Sequence, residues 1–142
     1  MKRILFLCHG NICRSPMAEY IFKAKIKDRK LEDKYEVSSK ALSYEEIGSD
    51  IYPFAKDCLR RHNIPFSKHS ASHFDKEDYD LFDEIYVMDN SNLNRISRIT
   101  SDPKNKIRLL NGNIEDPWYT NNFDLVYQLI DEGIDNILER DN

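Results

Sequence analysis

The 142-residue chain has few cysteines, no complete metal motif, no long apolar run and no basic stripe. Each absence excludes a class of protein. Three cysteines, Cys8, Cys13 and Cys58, are too few and too odd in number for a disulfide framework. They fit a reducing, cytoplasmic setting. Cys8 and Cys13 make half of a metal site at most. His62, His69 and His73 do not complete a zinc pattern, so no metal and no cofactor is expected. No stretch is long enough to span a membrane. Met1-Lys2-Arg3 followed by Ile4 to Leu7 mimics a signal-peptide start, but the apolar run is too short and Cys8 to Ser15 interrupts it. Lys and Arg number 21 against 25 Asp and Glu, a net charge of −4, with no basic tail, which excludes nucleic acid as the expected partner. Repeats, low-complexity stretches and linkers are also missing. At 40% hydrophobic and 32% charged residues, the chain reads as one domain over residues 1–142.

What the chain does have is concentrated between residues 4 and 19. Ile4 to Leu7 is an apolar run sized for one buried strand. Cys8 stands where that strand should stop. Gly10 and Asn11 tolerate tight and left-handed turns. Ser15 and Pro16 then read as a helix start, with Ser15 as the N-cap and Pro16 at the first helical position. A loop between a strand and a helix N-terminus turns its N–H groups on one centre, and the helix dipole adds positive potential there. Arg14 adds a planar, always charged fork suited to two phosphate oxygens. The same field favours thiolate over thiol at Cys8. A thiolate beneath a bound phosphoryl group points to attack on phosphorus and a phosphocysteine. An ordinary turn beside a buried cysteine would leave Arg14 unexplained, because the dipole at a helix N-terminus disfavours a cation unless an anion is bound as well.

The rest of the chain alternates strand and helix. Helices are expected over 16–29, from Ser49 or Asp50 to about His62, from Asn90 or Ser91 to before Asp102, and over 123–138, with a short helix or turn at 75–81. Strands are expected at 35–39, 84–88 and 106–110. Ile51, Phe54, Ala55, Cys58 and Leu59 fall on the inner face of the second helix, and residues 111–122 read as an irregular loop. Strands alternating with helices pair in parallel through right-handed crossovers. The expected fold is therefore an α/β three-layer sandwich, a four-stranded parallel sheet with helices on both faces. Ligands in such sheets bind at the strands' carboxyl ends, where Cys8 stands.

A phosphocysteine mechanism also needs a proton for the leaving oxygen. Asp116 is the candidate, in Glu115-Asp116-Pro117-Trp118-Tyr119 after the fourth strand. Pro117 restricts Asp116 to extended backbone, and burial beside Trp118 and Tyr119 would keep the carboxyl protonated. Asp-Pro is also a common turn pair, and Asp102-Pro103 is another in this chain.

Cys8-His9-Gly10-Asn11-Ile12-Cys13-Arg14-Ser15-Pro16 resembles the signature loop of the low-molecular-weight protein tyrosine phosphatases, and Asp116-Pro117-Trp118-Tyr119 resembles their acid motif. The resemblance covers most of the chain. It implies strand order 2-1-3-4, Cys8 as nucleophile, Arg14 as phosphate clamp and Asp116 as general acid and base. The loop residues His9, Gly10, Asn11, Ile12, Cys13 and Ser15 would bind phosphate, with Ser15 donating to the thiolate and His9 on the rim. Tyr44, Trp118 and Tyr119 would wall the ring pocket. Ser39, His69 and Asp89 would scaffold the loop, with Asp89 orienting His69. Cys13 would be a reversible disulfide partner of Cys8. Two stretches depart from the family pattern. Ser39-Lys40-Ala41-Leu42 stands for Ser-Ala-Gly-Thr, and His69-Ser70-Ala71-Ser72 lacks the usual Arg. The implied substrate is a phosphotyrosine protein or peptide, a tyrosine kinase being one class. Ile12 favours phosphotyrosine, because related phosphoarginine phosphatases carry Thr there. Two rivals use the same loop. A thioredoxin-linked arsenate reductase would need further cysteines on a mobile segment, where only Cys58 remains. A non-catalytic phosphate- or phosphopeptide-binding module would need neither Cys8 nor Asp116.

Overall fold

Ile4, Leu5, Phe6 and Leu7 are all fully buried, as a strand covered on both faces must be. In the computed structural model, which describes residues 1–142, they form the middle of β1 (Lys2–Cys8). Alternation along β1 sends its side chains into two layers. Ile4 and Phe6 enter a large apolar cluster, and Leu5 and Leu7 enter a smaller one.

The large cluster is closed by α1 (Arg14–Asp28), α2 (Pro53–Arg61) and α6 (Phe123–Asp141). Met17, Ile21, Phe22 and Ile26 give α1 its buried stripe, while Val126, Ile130, Ile134 and Ile137 do the same for α6. A Cβ built at Gly133 would lie 2.7 Å from Leu110 Cγ, so glycine there lets α6 approach the sheet. The small cluster is closed by the single turn α3 (Asp78–Leu81) and by α4 (Asn90–Ile96), through Tyr79, Phe82 and Ile96. Between the layers, β2 (Tyr35–Ala41), β3 (Glu84–Val87) and β4 (Ile107–Leu109) join β1 in an all-parallel sheet ordered 2-1-3-4. The chain leaves β1 for β2 on one side and returns to β3 on the other. This strand-order switch lies beside β1, where a crevice opens at the carboxyl ends.

Four details differ from the sequence expectations. First, α1 begins at Arg14, with Cys13 as a cap that makes no side-chain hydrogen bond. Ser15 is therefore inside the first turn and its hydroxyl is free for the loop. Second, α2 begins at Pro53, behind Tyr52, and Asp50 does not cap it. The Asp50 carboxylate instead accepts from the N–H groups of Ile51 and His69 and from Lys56 Nζ, which ties two loops together. Third, Phe54, expected inward, is 53% exposed. One turn of helix, α5 (Pro117–Thr120), also forms inside the stretch read as irregular.

The edge far from the crevice is held by charge. Arg140 Nη2 donates to both oxygens of Glu84, at 2.8 and 2.9 Å, and Lys2 Nζ bridges Glu84 Oε2 and Asp141 Oδ2 at 2.8 and 3.0 Å. The Tyr35 hydroxyl donates to Asp141 Oδ2 at 2.9 Å. Burial pushes the Asp141 carboxyl up, but hydrogen bonds from Arg140, Lys2 and Tyr35 outweigh it and hold the carboxyl down at about 2. A folded value below the unfolded one means full stabilisation above roughly pH 4, lost as pH falls through about 2. Chemical denaturation of wild type and Asp141→Asn should show this. The variant should be less stable at pH 6, and the gap should close between roughly pH 4 and 2.

Candidate active site

Eight residues, Cys8 to Ser15, connect the buried end of β1 to the first turn of α1. Asn11 turns the loop at φ 60°, in the left-handed region that Asn tolerates. The turn aims two N–H groups at the cysteine. Cys8 Sγ accepts from Asn11 N at 3.3 Å and from Ser15 N at 3.4 Å, and it lies 3.0 Å from Ser15 Oγ. Asn11 Nδ2 donates to Ser15 Oγ at 2.7 Å. That bond occupies an oxygen lone pair and leaves the Ser15 proton to point at sulfur.

A second layer fixes the turn. Asn11 is wholly buried, and its Nδ2 also donates to Ser39 Oγ at 3.0 Å. Ser39 Oγ donates onward to Glu19 Oε1 at 2.6 Å, and Lys23 Nζ holds the other oxygen of Glu19 at 2.6 Å. His69 Nε2 lies 2.8 Å from Asn11 O, so this nitrogen carries the proton and donates. Ser72 N donates to Asn11 Oδ1 at 3.3 Å. Ser39 and His69 thus both hold Asn11, one at its side chain and one at its carbonyl. Glu19 was not expected, although its position one helical turn after Ser15 is the available signal.

Arg14 is 2% exposed. Its Nη1 donates to Asp89 Oδ2 at 2.6 Å and to the Ile114 carbonyl at 2.8 Å, and its Nη2 lies 3.5 Å from Asp116 Oδ2. Burial alone would lower its pKa, but Cys8, the Asp89 hydrogen bond and Asp116 together hold it above the ordinary value. The expectation that Asp89 orients His69 is corrected here. Asp89 faces Arg14, and its Oδ1 caps α4 by accepting from Asn92 N at 2.7 Å. β3 ends just before Asp89, which puts this carboxylate at the sheet's carboxyl edge next to the loop.

Asp116 caps α5, with its Oδ1 accepting from Trp118 N at 3.1 Å. Its side chain is 26% exposed, so the burial expected of it is not present. Trp118 and Tyr119 are themselves 49% and 82% exposed. They still line one cleft of about 130 Å³ together with Cys8, His9, Gly10, Ile12, Cys13, Arg14, Glu45, Glu46 and Asp116. Tyr52, which was not expected, supports that wall. Its ring centroid lies 4.5 Å from that of Trp118, and its N–H donates to the Ile12 carbonyl at 2.9 Å. Tyr44 does not line the cleft, contrary to expectation. It stacks on His73 at 3.7 Å between centroids, on the far side of the 44–46 loop, and Glu45 and Glu46 take the place on the cleft wall. His9 is on the rim, where Nε2 meets Glu45 Oε2 at 3.0 Å. Cys13 is a free, buried thiol, raised well above its ordinary value by burial, Cys8 and Asp116.

Fold and loop together define an α/β protein with an oxyanion cradle built around a cysteine at the end of its first strand. The family described as low molecular weight phosphotyrosine protein phosphatase matches residues 3–141, and the chain belongs to it; the protein is a phosphatase. It is 41% identical over 139 residues to a low molecular weight phosphotyrosine protein phosphatase of Homo sapiens, a match covering 89% of this chain and 87% of that one. The crystal structure of YfkJ from Bacillus subtilis superposes with a TM-score of 0.94 at 34% identity, covering 99% of this chain and 94% of that one. A low molecular weight protein tyrosine phosphatase from Streptococcus pyogenes, SP-PTP, superposes at 0.91 with 34% identity and 99% and 93% coverage.

The two jobs of Asp89 are separable. Asp89→Asn keeps a cap acceptor for Asn92 N but removes the charge facing Arg14, whereas Asp89→Ala removes both. Unfolding free energies should fall by about 1–2 kcal/mol for Asn and by about 1 kcal/mol more for Ala. Equal losses in denaturant titrations would show that the cap contributes nothing.

Proposed function

We propose that the protein hydrolyses phosphotyrosine in proteins or peptides through a phosphocysteine at Cys8. The observation that carries this reading is the convergence of three donors on Cys8 Sγ beside the buried Arg14 guanidinium, with Asp116 on the opposite loop. Phosphate oxygens take up the loop N–H groups and the Arg14 fork. The Cys8 thiolate, stabilised by the Ser15 hydroxyl, attacks phosphorus in line. The bond from phosphorus to the tyrosine oxygen breaks, its electron pair goes to that oxygen, and Asp116 supplies the proton. In the second half Asp116 takes a proton from water. The hydroxide attacks phosphorus, the P–S bond breaks, and its electrons return to sulfur. Arg14 and the loop hold the equatorial charge throughout. These steps call on no metal and no cofactor.

The aromatic wall of Trp118 on Tyr52, with Ile12 also lining the cleft, suits a flat ring. Ile12 offers no hydrogen bond to a phosphoramidate, which favours phosphotyrosine over phosphoarginine. The names of the relatives agree with this substrate class. A phosphorylated tyrosine kinase is one substrate of this kind. The reductase alternative needs a mobile relay cysteine, whereas Cys58 is wholly buried on α2 and its Sγ lies 3.7 Å from the Phe123 carbonyl.

The test compares p-nitrophenyl phosphate, a phosphotyrosine peptide and phosphoarginine, with EDTA present. The first two should be turned over and Cys8→Ser should abolish this. Asp116→Ala should cost about 10²–10⁴ in kcat for alkyl or unactivated phenyl phosphates, and much less for p-nitrophenyl phosphate. A uniform loss across leaving groups would remove Asp116 as the acid, and near-wild-type turnover by Cys8→Ser would end the phosphocysteine route.

A further inference from the structure

Behind the loop at residues 44–46 lies a second groove that the mechanism does not use. Tyr44 and His73 form one wall as a stacked pair with planes 7° apart, and Lys76, Arg95 and Arg98 stand around it. All three cations are exposed, and none makes an ion pair within the protein. Arg95 is partly engaged, with Nε donating to the Leu42 carbonyl at 2.7 Å, while its terminal nitrogens stay free. The one carboxylate in the groove, Asp75, faces His73 at 3.2 Å. The groove is thus a local positive patch on a chain of net charge −4. Tyr44, 69% exposed, adds an open aromatic face beside it.

Its position relative to the catalytic cleft is fixed by backbone. Leu42 N donates to the Cys8 carbonyl and Ser43 N to the His9 carbonyl, both at 3.0 Å, and Ala41 bridges His73. Tyr44 faces the groove, and Glu45 and Glu46 face the cleft. Only this one loop separates the two, so an extended peptide seated in the cleft can reach the groove.

We propose that this groove is a docking subsite for an acidic segment of the phosphotyrosine substrate, a few residues from the phosphorylated tyrosine. The proposal rests on the phosphatase reading above. Charge complementarity selects the occupant: three unpaired cations match Asp or Glu side chains, and the open Tyr44 ring accepts the flat face of a peptide bond or aromatic residue.

The experiment uses two phosphotyrosine peptides that differ only in a block of Asp and Glu, replaced by Asn and Gln in the second. The block is placed on either side of the tyrosine in turn. kcat/KM is measured for the wild type and for Lys76→Glu/Arg98→Glu, with p-nitrophenyl phosphate as the control. The wild type should prefer the acidic peptide on one side by roughly three- to tenfold, less at high salt. The double variant should lose or invert that preference and keep its rate on the control. Lys76→Gln/Arg98→Gln should lie between. No preference in the wild type, or one that survives charge reversal, would overturn the proposal. Failure of the wild type on every phosphate ester would count against the phosphatase reading alone. The unphosphorylated acidic peptide would then still report the groove, through NMR shifts at Tyr44 and Ile99, and no shift there would overturn the subsite. Tighter binding by a single-stranded oligonucleotide than by the acidic peptide would also overturn it, in favour of nucleic acid.

Discussion

The guanidinium of Arg14 is buried at the N-terminus of a helix, where the dipole opposes a positive charge. A charge in such a place must be paired and hydrogen-bonded or the fold gives way. Its partners come from two later loops: Asp89 after β3, and the Ile114 carbonyl and Asp116 after β4. Counting the loop after β1 that carries Arg14, the loops after three of the four strands meet at one side chain. Strand order follows the same logic, because only an arrangement with β3 next to β1 sets Asp89 beside the loop that carries Arg14.

Cys8 is served by a different set of residues. Arg14 holds charge in place, while the Asn11 network holds backbone. Asn11 accepts a left-handed turn and then uses every polar atom of its side chain: Nδ2 to Ser15 and Ser39, Oδ1 to Ser72. His69 takes its carbonyl. The donors around Cys8 are thus set before any ligand arrives, and no reorganisation is needed when charge develops there. Ser15 shows the competition involved. A serine at a helix start normally caps it. Here the hydroxyl is drawn to sulfur, and the helix begins one residue before it with no side-chain cap.

That competition explains which features could be read from the residues alone. Apolar period and turn residues marked all four strands, the long helices and the phosphate loop, because burial on two faces leaves a plain pattern in β1 and in the stripes of α1 and α6. The resemblance supplied the strand order. Most of the errors fall where one polar side chain has two potential partners. Ser15 had a helix end or a sulfur, Asp89 had His69 or Arg14, and Asp50 had a helix end or the His69 N–H; each was decided by tertiary placement. Glu19 and Tyr52 were missed because their partners, Ser39 and Trp118, come from distant parts of the chain. Tyr44 was misplaced for a geometric reason. The chain turns over residues 45–48, which sets both Glu45 and Glu46 on the cleft, and the Tyr44 ring just before the turn stacks on His73 instead.

The turned-away tyrosine also bears on how a phosphate reaches an acidic protein. Glu45, Glu46 and Asp116 line the cleft, and Glu46 meets only the Ser49 hydroxyl, at 2.9 Å, with no cation to neutralise it. A dianion approaching this mouth is not drawn in by the field of the whole molecule. What holds it must act at hydrogen-bond range, through the loop N–H groups and one buried Arg, where desolvation makes each contact strong and salt screens little. Capture of the phosphoryl group therefore falls to the loop over residues 8–15 and to Arg14, while the 44–46 loop beside it, with two carboxylates on the cleft side, supplies no attraction.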